Sequence, residues 1–176
     1  FIHDGGAVLN IFWLFSIVLT AWLATLALRF LDIGKGLALG LGLVYAFLPF
    51  ALLRNIAHVS LVFYCVPLLS LFAIHLARGG EYPQANTVRI IGYLAAFAQG
   101  LNYIYFSFFA VRLFFFGGWL GYKHNRSWKP LRDTVIVCGI IVLSSALNLL
   151  PSYISWQEYG KPPGMDFKVP QEAEIY

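Results

Sequence analysis

Two histidines, two amides and one arginine are the polar groups set inside or beside the long apolar runs that suggest chemistry: His58, His75, Gln99, Asn102 and Arg112. Bis-imidazole haem ligation needs two imidazoles facing one another from two helices. His58 and His75 are seventeen residues apart in one apolar run and point to different faces of it, which disfavours that chemistry. His3 and His124 sit near the ends of other runs. Proton relays and intramembrane cation sites use carboxylates, and no Asp or Glu lies inside any apolar run, so an autonomous pump or ion-coupled transporter is disfavoured. H-E-x-x-H, P-loop and G-x-S-x-G motifs are missing, and Asp133 or Glu81 would need hydrolytic partners that the chain does not show. Cys65 and Cys138 lie in apolar runs without C-x-x-C spacing and read as buried thiols. The expectation is therefore no catalytic residue, no metal and no cofactor.

The remaining polar groups point to packing. Gln99 and Asn102, at i and i+3, share a helix face from which amides can bond a neighbouring helix; lining a polar path is their functional alternative. Arg112 follows Arg89 by 23 residues, the length of one membrane crossing, which places it at an interface. An arginine at the bilayer centre costs roughly 2.5 to 3.5 kcal/mol on insertion scales. Gly36 and Gly40 form a small-xxx-small face that can admit another helix. Gly79 and Gly80 form a turn running from Arg78 to Pro83.

Those residues must be carried by membrane helices. The chain of 176 residues is 60% hydrophobic, 18% aromatic and only 11% charged. Soluble domains carry about 25% charged residues. The net charge of +4 comes mostly from cations at the ends of apolar runs, which speaks for topology and a lipid partner rather than nucleic acid. The chain opens on Phe1 rather than Met, which leaves a processed or longer natural start open; the run from Gly5 to Leu28 is too long for a signal h-region and reads as the first span. Gly36 to Leu53 is the second run, with Pro49 kinking or shortening it, and Arg54 and Asn55 separate it from the third, Ile56 to Ala77. The segment from Thr87 to Tyr122 is too long for one untilted helix and too short for two full crossings. It is either one projecting helix or a short pair broken near Gly100-Leu101-Asn102 or at Gly117-Gly118. Thr134 to Leu150 is the last run, closed by Pro151.

The resulting expectation is an all-α, polytopic transmembrane bundle of about five spans, one of them long or broken, over residues 1–154, with an extramembrane tail at 155–176. The basic loop with Lys123, Arg126, Lys129 and Arg132 is cytoplasmic by the positive-inside rule. Five spans then put the tail on the opposite side and Arg78 and Arg89 outside as well. A short helix pair within 87–122 would remove that conflict.

His75 to Gly80, then Gln84, Thr87, Val88, Arg89, Ile91-Gly92-Tyr93, and Gly121-Tyr122-Lys123-His124 before a polar turn and a last span, form a pattern that resembles the Yip1 domain family over about half of the chain. The resemblance implies a multi-span membrane protein with a cytosolic amino terminus. For eukaryotic members it implies work in vesicle traffic with Rab-type GTPases; bacterial members mostly have no assigned activity. Three functions follow in order of preference. The first is a non-enzymatic membrane subunit or scaffold packing against other membrane subunits through Gly36, Gly40, Gly79, Gly80, Gln99, Asn102 and Arg112. The second is a small transport component with a polar path along the fourth span, and the third a pigment- or quinone-contacting subunit of an energy-transducing complex.

Overall fold

The computed structural model describes residues 5–48, 63–79, 84–102 and 104–160. His58, Gly80, Pro49, the Arg54–Asn55 junction, Tyr103 and the tail from 161 lie outside the described residues. Among the described residues six helices follow in order: α1 Gly5–Phe30, α2 Lys35–Ala46, α3 Val66–Ala77, α4 Ala85–Gly100, α5 Ile104–Asn125 and α6 Lys129–Tyr159. Three of them, α1, α5 and α6, are long and apolar enough to cross a membrane. The further crossings expected from the sequence fall on the shorter apolar helices α2 and α3, on α4, and on residues outside the description.

In a non-aqueous environment each helix must satisfy its own polar groups. The hydroxyls of α1 do so by bonding back to the preceding turn: Ser16 Oγ donates to Trp13 O at 2.7 Å, Thr20 Oγ1 to Ser16 O at 2.6 Å and Thr25 Oγ1 to Ala21 O at 2.8 Å. A tight turn at 31–34 folds α2 back on α1, held by Arg29 Nη1 donating to Ile33 O at 2.6 Å. The face of α2 that meets α1 is Ala38, Gly42 and Ala46, all buried and spaced four apart. A Cβ on Gly42 would come within 2.8 Å of Ala21 O.

The third apolar run is helical only from Val66 in its described part, because Phe63 to Cys65 form a turn and Pro67 sits in the first helical turn. At 12 residues, about 18 Å by its rise, α3 is short, yet it lies at the centre of the bundle. Phe72, fully buried, stacks on His75 with centroids 5.5 Å apart and meets Tyr93 and Phe114 edge-on at 5.6 Å each. The helix ends at Gly79, whose φ of +73° is the left-handed conformation glycine adopts most easily.

The segment from Thr87 to Tyr122 is a broken pair. It breaks at Leu101–Asn102, whereas Gly117-Gly118 stays inside uninterrupted helix. Asn102 Nδ2 donates to Ala98 O and to Tyr64 Oη, both at 2.9 Å, pinning the break to the turn before α3. The expectation that Pro151 closes the last helix is corrected: α6 runs through Pro151 to Tyr159. Proline removes one backbone donor and crowds the carbonyl four residues earlier, a defect that membrane helices tolerate.

Helices α3 to α6 alternate in direction and form a four-cornered bundle, with α3 beside α5 and α4, and α6 beside α5 and α4. Gly117 and Gly121 meet Ala73 and Leu76, so α5 runs parallel to α3; Arg89 meets Asp133 and Gly100 meets Ile141 and Ser144, so α4 runs parallel to α6. The consecutive helices α4 and α5 therefore occupy opposite corners. Each neighbouring pair closes over glycine: Gly92 on Phe72 for α3 and α4, Gly100 on α6, Gly117 and Gly121 on α3, and Gly118 on Thr134. Lipid tails are as apolar as the helix faces, so close van der Waals approach replaces the hydrophobic effect as the force holding such helices together.

Candidate functional site

The parallel pairing of α4 and α6 brings their amino-terminal ends to one mouth, beside the carboxyl-terminal ends of α3 and α5. Gly79 at the end of α3 faces Asn125 at the end of α5, and Asn125 Nδ2 donates to Arg78 O at 3.4 Å. The turn between α5 and α6 is only residues 126–128, with Arg126 at φ +52°. Arg78, Arg89, Lys123, Arg126, Lys129 and Arg132 consequently gather at this end of the bundle. The two loops that five straight spans would have put on opposite sides sit together, because the break at Leu101–Asn102 returns the chain.

Asp133 is the acid of this end, buried with only 6% of its surface exposed. Arg132 chelates its Oδ1 through Nε at 3.2 Å and Nη2 at 3.0 Å, and Arg89 Nη1 lies 4.0 Å from Oδ2. A carboxylate taken from water is costly unless paired and hydrogen-bonded, and these two guanidinium groups supply that. Arg89 also donates through Nη2 to Asn86 Oδ1 at 2.9 Å. No sequence spacing links Arg89 to Asp133; the only prior signal was that Asp133 was the lone acid at the head of the last run.

The arrangement can bind charge. The carboxylate is neutralised by two guanidinium groups, and among the described residues no group of three or more His, Cys, Asp or Glu side chains is placed to hold a metal. His75 lines the same mouth and is buried against Phe72.

The other sequence-predicted residues are dispersed. Gly36 and Gly40 face away from the fold with nothing within 4 Å of a Cβ, and Gly42 makes the close contact instead. Gln99 is fully buried between helices, its backbone carbonyl accepting from Ser107 Oγ at 3.2 Å, so it lines no open path. Asn102 lies past the end of α4 rather than on a shared face with Gln99, and borders a cleft of about 330 Å³ at the distal end with Ser145 and Asn148. With the chain turning at Leu101–Asn102, Arg112 stands eight residues from Ile104 and thirteen from Asn125, inside α5, on the outward side. Its guanidinium lies 4.0 Å over the Phe108 ring, and Lys123 Nζ lies 4.1 Å over Trp119 on the same face. The packing glycines of α4 and α5 are not among the residues expected from the sequence, although the Gly117-x-x-x-Gly121 spacing carries the same small-xxx-small signal as Gly36 and Gly40.

The fold and this charged end define an all-helical protein of the membrane class. No protein family, no curated protein and no solved structure matches the chain.

Proposed function

We propose that this chain is a non-enzymatic integral membrane subunit or scaffold that packs against partner membrane proteins, with its basic end in the cytoplasm and the end of α6 on the opposite side. The observation that carries the reading is Arg112. It is an outward cation inside an apolar helix, set among the exposed Tyr105, Phe108, Phe109 and Phe116, and among the described residues no salt bridge involves it. A charge so placed is costly in lipid and is retained where a partner satisfies it. The open Gly36 and Gly40 face supports the same reading, since these glycines serve no contact inside the described fold. The Yip1-like pattern remains part of the proposal through the Gly79 turn, the helix opening before Thr87 and the short basic turn before α6.

A mild-detergent pull-down through a tag, with mass spectrometry, tests this. Stoichiometric membrane partners are expected with the wild-type chain, reduced about tenfold by Arg112→Gln, as loss of one charge-assisted contact implies. A protein recovered alone overturns the reading. The distal cleft favours a second reading, a small transport component taking an apolar solute or lipid past Asn102 and Asn148. Flux in vesicles that survives Asn148→Leu counts against it.

A further inference from the structure

We propose that the mouth between the starts of α4 and α6 is a binding site for a phosphate group, carried by an anionic lipid headgroup or by a free phosphate ester. A cavity of about 50 Å³ opens there, large enough for a small oxyanion and little else. Among the described residues, Arg89, Lys129 and Arg132 border it, against one carboxylate, Asp133. That described lining carries two positive charges in excess.

Asp133 acts as a template rather than as a competitor for the anion. It sits on the inner wall, buried, and holds the two guanidinium groups beside one another. Arg132 spends two N–H groups on it, and Arg89 spends one on Asn86, which leaves donors on both forks for a second oxyanion. Lys129 adds a point charge at the rim. The field of the backbone has the same sign. Helices α4 and α6 are parallel neighbours whose capping residues Gln84 and Trp128 supply no side-chain bond, Ser127 Oγ accepting only from Lys129 N at 3.4 Å, so the partial positive charge of both ends adds to that of the side chains. Packing two parallel helix starts side by side is unfavourable by itself, and an anion between them relieves it.

The cavity lies at the end of the bundle, level with the turn that carries Arg126 and with the aromatic pair Tyr122 and Trp128, whose rings are 5.1 Å apart. Such aromatic groups mark the headgroup level of a bilayer, where lipid phosphates reside. Phosphate recognition here is independent of whether a protein partner occupies α5.

Native mass spectrometry of the full chain in a neutral detergent, titrated separately with dioctanoyl phosphatidic acid, dioctanoyl phosphatidylcholine and inorganic phosphate, tests the site. Phosphatidic acid should be retained at one equivalent and about tenfold more tightly than phosphatidylcholine. Inorganic phosphate that binds as tightly as the lipid assigns the site to free phosphate esters; retention of the lipid alone assigns it to the headgroup. Lys129→Gln, an exposed change that leaves the Asp133 pairs intact, should weaken binding about tenfold, and Arg89→Gln at least as much, while Arg112→Gln leaves it unchanged. Equal retention of the two lipids without phosphate binding overturns the proposal, as does unchanged affinity in Lys129→Gln.

Discussion

Gly121 shows how little room single positions have. A Cβ there would run into Leu76 O and approach Pro130 Cβ to 3.0 Å, and the first of these is backbone that cannot swing aside. Gly121→Leu should therefore force α5 away from α3 and cost at least the 1–3 kcal/mol typical of overpacking, read as a lower melting temperature in detergent. Gly36→Leu, where a Cβ meets nothing within 4 Å, should leave the melting temperature unchanged. Equal effects from the two changes would contradict the packing described. Both residues are glycines in apolar sequence four from another glycine, and local pattern alone cannot rank them. The difference is which side of the helix the neighbour occupies.

Among the elements, the α4–α5 turn carries the topology. Tyr64 and Asn102 exchange hydrogen bonds at 2.9 and 3.2 Å, so the start of α3 and the end of α4 are tied at the distal end. Tyr64→Phe removes the cross-link and keeps the helix break, since Asn102 still bonds Ala98 O. The expected loss is about 1 kcal/mol, with helix content by circular dichroism unchanged. Unfolding of α4 in that variant would show that the tie, and not local sequence, makes the break. The length of the 87–122 segment exposed the problem of one crossing or two, and it left open two glycine-containing places to bend. The chain bends at Leu101–Asn102, just past Gly100, while Gly117 and Gly118 stay inside helix against α3 and α6. The run through Pro151 was illegible for a related reason: a proline ends a helix in water more readily than in a setting where no solvent competes for the freed carbonyl.

For the molecule as a whole, the described ends of α3 and α4 and the α5–α6 turn lie at one end of the bundle. Gln84→Cys and Ser127→Cys, in a chain with Cys65 and Cys138 replaced by Ala, should both be labelled by an impermeant maleimide from the same side of sealed vesicles. Labelling from opposite sides would rule out the arrangement. Composition determined the class of this protein, because a chain with 11% charged residues and long uncharged runs has few ways to satisfy its backbone other than as helices in an apolar medium. Apolar run lengths also located most helices, since each run must be closed by groups that seek water. Which faces meet, and hence where function can reside, was decided only by tertiary structure. Arg89 and Asp133 become partners through the parallel placement of two helices, Arg112 faces outward through a turn ten residues before it, and neither relation is written in any local spacing.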